Sequence, residues 1–219
     1  MKLICIILSL LIVSAVNGQR NGISTYFRIG YNNNPNTDSK LLAVAPGGNE
    51  FSSHFYGIGG EVSWKSNKNI LAAEGLIYAH GAVSEASEYS EPFIGTALLK
   101  TGYILYENNS MFVYPSVGVG MSGIGITTYN KQQDKKSDIH TTYLLAPAFD
   151  LGLNSDHIIY RFHSSRPTGA FTFAARVGYR WSKKSDNWRR VENPEFNNVS
   201  FANNGFYVGI GLGIAYLAK

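Results

Sequence analysis

The feature that most constrains this chain is a strict alternation of side chains near its C-terminal end. From Gly205 to Leu217, every second residue is large and apolar. These residues are Phe206, Val208, Ile210, Leu212, Ile214 and Tyr216. The positions between them hold Tyr207, Gly209, Gly211, Gly213, Ala215 and Leu217. A period of two over this length predicts a β-strand with one apolar face.

The same alternation recurs in the segment from Ala170 to Trp181, where the second face is polar. The apolar face holds Phe171, Phe173, Ala175, Val177, Tyr179 and Trp181. The other face holds Thr172, Ala174, Arg176, Gly178 and Arg180. Six more segments have strand character, so the sequence predicts eight strands in all. These six are 25–31, 52–65, 69–79, 92–106, 111–128 and 142–153.

The connections between the predicted strands alternate in length. Four are long and polar, namely 32–51, 80–91, 129–141 and 182–204. Tight turns are predicted at 66–68 and 107–110. Such alternation is typical of an up-and-down barrel with long loops at one end and short turns at the other. The connection 154–169 is longer than a tight turn, and its sequence is compatible with a strand extension, a short helix or an added hairpin.

Composition supports an all-β domain and excludes several other classes. Of the 219 residues, 13% are aromatic, 16% are charged and 23 are glycine. A disordered chain would have few aromatic residues, and a helical bundle would have more Ala, Leu, Glu and Lys. The net charge of +4 comes from residues spread along the chain. Because a nucleic-acid binder carries a dense basic stripe, no nucleic-acid partner is expected.

The first 18 residues predict export from the cytoplasm. Lys2 gives a positive start, Leu3 to Val13 is apolar, and small residues precede Gln19. This is the pattern of a secretory signal peptide, and the apolar run is shorter than the roughly 20 residues of a spanning helix. We therefore expect a signal peptide at 1–18 and a barrel domain at 19–219. Cleavage would remove Cys5, the single cysteine, which leaves no thiol for disulfide, metal or catalytic chemistry.

The second face of the last strand decides between a membrane barrel and a soluble one. A soluble, exported carrier of the lipocalin type would turn its apolar face inward and expose polar residues. The second face here consists of glycines with Tyr207, Ala215 and Leu217, which suits water poorly. The lumen of an eight-stranded barrel is just wide enough to be filled by side chains, and glycines leave room for bulky neighbours. The pattern favours lipid on the apolar face, and the soluble carrier stays open as an alternative.

If the apolar faces of the strands point outward to lipid, the charged residues within the strands point into the lumen. They are Arg28, Glu61, Glu74, Lys100, Asp150, Arg176 and Arg180. Four basic and three acidic residues are nearly balanced, so they can form ion pairs that satisfy buried charge. A basic residue facing lipid at mid-depth would instead cost roughly 2 to 4 kcal/mol. We predict a lumen charge network that plugs the barrel.

Aromatic residues gather near the two ends of the predicted strands, as the interface girdles of a membrane barrel require. At the turn end the predicted girdle contains Tyr26, Phe27, Trp64, Tyr103, Tyr106, Phe112, Tyr114, Phe171, Phe173 and Tyr216. At the loop end it contains Tyr31, Phe51, Phe55, Tyr78, Phe93, Tyr129, Tyr143, Tyr179, Trp181, Phe206 and Tyr207.

The segments FTFAARVGYRW and GFYVGIGLGIAYLAK resemble the small eight-stranded outer-membrane barrels of the OmpA/OmpX/opacity-like group. The similarity is one of pattern and covers most of the chain after residue 18. It implies an eight-stranded antiparallel up-and-down transmembrane β-barrel, porin-like in build, in the outer membrane of a Gram-negative cell. It also implies outer-membrane lipid, lipopolysaccharide and the barrel-assembly machinery as partners. Members of the group commonly end in an aromatic residue that this machinery reads, whereas this chain ends in Leu217, Ala218 and Lys219.

Candidate chemical sites are few, and we expect no enzyme activity, cofactor or metal. The glycines from Gly118 to Gly123 match a dinucleotide fingerprint, but a strand follows instead of the required helix, and a β-bulge near Ser122 is expected instead. The histidines lack metal-ligand spacing.

His163 and Ser165 resemble the pair of PagL-type lipid A deacylases, and a serine nucleophile needs such a base and a third, orienting group. A polar turn is the favoured interpretation, with lipid A deacylation as the alternative function.

The last long loop is basic. Lys183, Lys184, Arg189 and Arg190 are predicted to lie outside the membrane, where such charges suit the phosphates of lipopolysaccharide. Ordinary solubility accounts for them equally well, because acidic residues are interspersed in the loops. The sequence thus predicts a structural or surface-interaction protein that acts at the cell surface through its long loops.

Overall fold

The computed structural model describes residues 21–35, 52–80, 83–85, 88–130, 140–162, 168–189 and 200–217. The predicted signal peptide at 1–18 lies outside these residues, as do His163, Ser165 and Arg190. In the described part of the chain, no helix has the length and apolar character needed to cross a membrane.

Eight long strands account for most of the described residues. They are β1 (Asn21–Asn33), β2 (His54–Ser66), β3 (Asn69–Ala79), β4 (Glu88–Tyr103), β5 (Met111–Asn130), β6 (His140–Arg161), β7 (Thr168–Ser182) and β8 (Gly205–Leu217). The short segments Val83–Glu85 and Tyr106–Glu107 pair with β4 and β5 respectively. The turn between β2 and β3 contains Asn67, whose φ of 53° lies in the left-handed region that asparagine tolerates better than most residues.

Each strand pairs antiparallel with its neighbours in the chain, and β8 pairs with β1 to close the sheet. The chain is therefore an eight-stranded antiparallel up-and-down β-barrel. Following paired positions once around the barrel from Ile23 leads back to Asn33, ten residues further along β1. Such a stagger tilts the strands by roughly 35–45° from the barrel axis. The fold class predicted from the sequence is confirmed.

Two details of the strands complete or correct the prediction. First, β6 continues through Asn154 to Arg161, so the strand extension is the correct one of the three alternatives for this segment. Its register with β7 shifts between Ile158 and Tyr160, and this irregularity interrupts the alternation that would have revealed the strand. Second, the predicted bulge near Ser122 is wrong, because β5 keeps an unbroken register with both neighbours there.

The wall of the barrel has an apolar outer face and a mixed inner face. In β8 the outward residues Ile210 and Leu212 are 50% and 63% exposed, whereas the inward Tyr207 is 1% exposed. Outward aromatic side chains lie near both ends of the barrel. Those at the turn end include Tyr103, Tyr106, Tyr160, Phe171 and Tyr216, and those at the loop end include Tyr56, Phe149, Tyr179, Trp181 and Phe206. Among the described strand residues, no Asp, Glu, Lys or Arg points outward between these two groups.

The predicted girdles are wrong for several aromatic residues, which point into the lumen instead. These residues are Tyr26, Phe55, Tyr78, Phe112, Tyr114 and Tyr207. These residues lie at the heights along the barrel axis that were predicted for the two girdles. Because side chains alternate along a strand, however, their positions face inward. Phe51 lies outside the described residues.

Candidate functional site

The described side chains on the inner face of the barrel form three layers. Toward the loop end lies an apolar cluster that includes Phe55, Leu76, Ile94, Ile124, Trp188 and Phe201. Toward the turn end lies a smaller cluster of Ile70, Ile104, Phe112 and Tyr114. Between them the inner face carries charged side chains, which form the candidate site. Because a buried apolar cluster lies on either side of it, this charged layer is largely shielded from water.

All seven charged residues selected from the sequence lie in this central layer. Arg28, Glu61, Glu74, Lys100, Asp150, Arg176 and Arg180 are each at most 5% exposed. Asp156, which the sequence reasoning did not select, joins them and is 1% exposed. With Asp156, the set contains four basic and four acidic residues and has no net formal charge. We refer to these eight residues as the lumen charge network.

The loop-side half of the network is built around Glu74 and Asp150. Nζ of Lys100 lies 2.8 Å from Oε2 of Glu74 and 3.2 Å from Oδ1 of Asp150. Nη2 of Arg180 lies 3.2 Å from Oε1 of Glu74 and 3.3 Å from Oδ2 of Asp150. Arg28 also donates to Glu74, and the hydroxyl of Tyr207 donates to Asp150 over 2.9 Å. Each carboxylate therefore accepts hydrogen bonds from several donors, as a buried charge requires.

The turn-side half is built around Arg176. Its Nη2 lies 2.7 Å from Oε1 of Glu61, and its Nη1 donates to Asp156. The guanidinium also lies 5.3 Å and 5.7 Å from the ring centroids of Tyr26 and Tyr114. Nη1 of Arg28 lies 3.1 Å from Oε2 of Glu61 and joins the two halves. The eight residues come from β1, β2, β3, β4, β6 and β7. The network therefore links six of the eight strands through side chains.

Glycines on the inner face make room for these long side chains. A methyl group at Gly118 would lie 2.9 Å from Cγ of Lys100, and one at Gly209 would lie 2.9 Å from Nη2 of Arg28. Both distances are shorter than ordinary van der Waals contact, so a larger residue would displace the charged side chain. This is the role that the sequence predicted for glycine in a crowded lumen.

The described parts of the connection between β7 and β8, residues 183–189 and 200–204, fold across the loop end of the lumen. Trp188 and Phe201 are 8% and 2% exposed and belong to the loop-side apolar cluster. Backbone hydrogen bonds anchor this segment, from Arg189 N to Tyr143 O over 2.8 Å and from Phe201 N to Ser185 O over 2.8 Å. The sequence predicts a polar loop for this segment, whereas Trp188 and Phe201 are buried. The aromatic residues of this stretch, Trp188, Phe196 and Phe201, were the signal for a buried contact, and Phe196 lies outside the described residues.

The remaining sequence candidates are distributed as follows. Lys183, Lys184 and Arg189 are exposed at the loop end, and Arg190 lies outside the described residues. His163 and Ser165 also lie outside them, so the structure gives no geometry for the deacylase alternative. Within the described ranges, no three His, Cys, Asp or Glu side chains are grouped so that they could hold a metal ion.

The closed barrel, the apolar outer wall and the charged lumen together define the architecture. It is an eight-stranded antiparallel up-and-down β-barrel with charged side chains buried inside it. No family model and no curated protein matches the sequence. Among solved structures, Neisserial surface protein A is similar at 10% identity and a TM-score of 0.45, with 91% of this chain and 97% of that chain covered.

Two further solved structures are similar to this chain. The attachment invasion locus protein Ail of Yersinia pestis has 10% identity and a TM-score of 0.45, with 92% of this chain and 99% of that chain covered. The outer membrane protease OmpT from Escherichia coli has 9% identity and a TM-score of 0.31, with 90% and 96% covered.

Proposed function

We propose that the protein is an integral outer-membrane barrel with a closed lumen, which acts as a structural or surface-interaction protein through its loop end. The proposal rests on one observation: large apolar side chains cover the outside of the barrel, and charged side chains are buried inside it. Ile58, Leu99 and Leu212 are about as exposed as surface lysines normally are, at 59%, 62% and 63%, while the charged residues of the lumen are buried. Soluble monomers rarely expose contiguous apolar patches larger than a few hundred Å².

The backbone geometry also supports a bilayer environment. A closed antiparallel barrel satisfies its strand hydrogen bonds internally, which the hydrocarbon core requires. The strands have between 11 and 22 residues, and roughly 9 to 11 tilted residues are enough to cross the core. Outward aromatic residues near both ends match the preference of Trp and Tyr for the membrane interfaces. In our proposal, the barrel-assembly machinery inserts the chain after export.

The filled lumen favours a closed barrel over both a channel and a carrier. A soluble carrier needs an apolar cavity for its ligand. Here the inner face carries the lumen charge network, and apolar clusters lie on either side of it. In our proposal the lumen holds the barrel in one register and passes no solute, so that the protein interacts with its surroundings through its outer wall and its loops.

The loop end is the side that we assign to the cell surface. Lys183 and Lys184 are exposed just beyond the outward ring of Trp181. At this level the phosphates of lipopolysaccharide would lie close to the two ammonium groups, and such contacts are favourable. We propose lipopolysaccharide as the lipid partner of this end.

Membrane fractionation tests the proposal directly. The protein should appear in the outer-membrane fraction, require detergent for extraction and migrate differently on gels before and after heating. Its circular dichroism spectrum in detergent should be dominated by β-strand. Recovery as a monomer from the periplasm without detergent would contradict the proposal and favour the soluble carrier.

A further inference from the structure

A serine and a histidine on the outer face of β6 are hydrogen-bonded to each other. Oγ of Ser155 lies 2.9 Å from Nε2 of His157. The two residues are two positions apart in a strand, so their side chains project from the same face, and both are half-buried. With Nε2 unprotonated, the serine hydroxyl donates to the imidazole, which is the arrangement of a serine nucleophile and its general base.

The outer wall around this pair is apolar. The residues paired with Ser155 and His157 on the two flanking strands are Met111 and Val113 in β5 and Phe173 and Ala175 in β7. The ring centroids of His157 and Phe173 are 6.2 Å apart. An ionisable side chain on a lipid-facing surface is costly, so it marks a functional site by default. An apolar pair would fill the same place in the wall at lower cost.

The pair lies at the height where a bilayer presents its ester groups. The outward aromatic residues Tyr160 and Phe171 lie closer to the turn end, and the outward Leu153 lies closer to the middle of the wall. Because such aromatic rings sit at the level of the lipid headgroups, Ser155 and His157 lie at the boundary between headgroups and hydrocarbon. The acyl esters of a phospholipid join these two regions and lie at the same boundary.

A strand irregularity directly follows the pair. The register between β6 and β7 shifts between Ile158 and Tyr160, whereas the other described pairings of the long strands are unbroken. Bulges redirect side chains, and they are over-represented at barrel rims and next to active sites. The amide of Ile158 donates to the carbonyl oxygen of Ser110 over 2.6 Å, which fixes the backbone beside His157.

We propose that Ser155 and His157 form an esterase site that cleaves an acyl ester of a glycerophospholipid in the turn-side leaflet. The inference rests on the membrane location proposed above, because its substrate is a bilayer lipid. Oγ of Ser155 bonds to the carbonyl carbon while its proton moves to Nε2 of His157. The bond from that carbon to the glycerol oxygen breaks, and His157 gives the proton to the departing oxygen.

Hydrolysis of the acyl-serine completes the reaction. A water molecule gives a proton to His157 as its oxygen attacks the acyl carbon, and the proton then passes to Oγ of Ser155 as the fatty acid leaves. In the described part of the chain, no carboxylate hydrogen-bonds to His157, and Asp156 points into the lumen toward Arg176. Because an orienting carboxylate supplies much of the rate of a complete triad, turnover is slow and the covalent step is the sharper measurement.

The first test is covalent labelling of the refolded barrel in detergent, at neutral pH, with an alkyl fluorophosphonate that reacts with activated serines. Mass spectrometry of the peptides should find one phosphonyl group, attached to Ser155. In His157→Phe the labelling rate should fall by about 100-fold, since a positioned general base contributes roughly 10² to 10⁴ in rate. An unlabelled Ser155 in the wild type, or an equal rate in His157→Phe, would overturn the proposal.

Thr101→Ala is the matched control. Thr101 is half-buried on the outer face of β4, and its register partners Leu71 and Val117 are apolar, so it presents a hydroxyl to lipid without a histidine beside it. This variant should be labelled at the wild-type rate. A rate as low as that of His157→Phe would show that labelling does not report on the pair and would contradict the assignment. Circular dichroism checks that each variant is folded.

The second test concerns the substrate and uses vesicles of phosphatidylethanolamine and phosphatidylglycerol. The reconstituted wild type should accumulate lysophospholipid and free fatty acid, measured by mass spectrometry, and Ser155→Ala should not. Equal amounts of product in both, or none in either, would refute a phospholipid substrate. The labelling in detergent does not depend on where the protein resides, so its failure is distinguishable from a failure of the outer-membrane proposal in fractionation.

Discussion

Arg176 and Val177 are neighbours in β7 whose side chains point to opposite sides of the barrel wall. Arg176 is 2% exposed and forms ion pairs with Glu61 and Asp156, whereas Val177 belongs to the apolar outer face. A buried ion pair adds little net stability over an apolar pair of the same volume, but breaking it leaves an uncompensated charge. The two residues therefore allow separate tests of the inner and the outer face.

Arg176→Leu should destabilise the barrel by about 3 to 5 kcal/mol, because the buried Asp156 loses its cation and Glu61 keeps only Arg28. The free energy of unfolding in detergent, measured by urea titration with tryptophan fluorescence, checks this. Lys184→Leu, at an exposed loop position, serves as the control and should change stability little. A variant of Arg176 that is more stable than wild type would place this side chain outside the lumen.

Val177→Arg should also destabilise the barrel, by roughly 2 to 4 kcal/mol if the position lies at mid-depth in the bilayer. The cause is different, since here a charge is moved from water into hydrocarbon. The measurement is the same urea titration, performed in lipid vesicles. Stability that is unchanged in vesicles would show that this outer face is not in contact with lipid.

The inner residues of regular strands could be predicted from the sequence because the phase of each strand is fixed by a period of two. That phase placed Arg28 and Arg180 in the lumen without knowledge of any contact. Asp156 was missed because its neighbours Ser155 and His157 are polar, so the sequence shows no apolar face in this part of β6. Tyr26 and Tyr114 were assigned to girdles from their level along the axis, although their phase already pointed inward.

Among the structural elements, the segment between β7 and β8 departs most from its sequence-based description. It has no periodicity, so no pattern of apolar residues predicts its position. Its place is fixed by long-range contacts, including the backbone pairing of Arg189 with Tyr143 and a hydrogen bond of 2.8 Å from Nδ2 of Asn34 to Oδ1 of Asn203. Contacts of this kind between distant loops are outside the reach of local sequence patterns.

Phe201→Ala should therefore destabilise the barrel, although it lies in a loop segment. Its side chain is 2% exposed within the loop-side apolar cluster, and removing a buried phenylalanine ring costs about 3 to 5 kcal/mol. The temperature at which the folded band disappears on semi-native gels measures the effect. The exposed Phe206, which lies at the start of β8, provides the control, since Phe206→Leu should change this temperature much less. Equal effects would mean that Phe201 is not part of the core.

For the whole molecule, the strand pairing closes the wall, and in our proposal the side chains close the lumen. The wall could be predicted from strand number and phase, because eight alternating strands with one apolar face have few other ways to satisfy their backbone in lipid. The closure of the lumen depends on which long side chains meet across the barrel, such as Arg180 in β7 with Glu74 in β3. Such pairs are distant in the sequence, so seven of the eight charges could be predicted from the sequence but their partners could not.

A barrel closed in this way should not conduct ions. An ion would have to pass the apolar cluster at the loop end, the lumen charge network and the apolar cluster at the turn end, and each passage requires it to lose its water. Planar bilayer recordings of the refolded protein should therefore show no discrete current steps at moderate voltage. A general porin, reconstituted by the same procedure, controls for successful insertion. Regular, ion-selective steps that disappear after heat denaturation of the sample would demonstrate an open lumen.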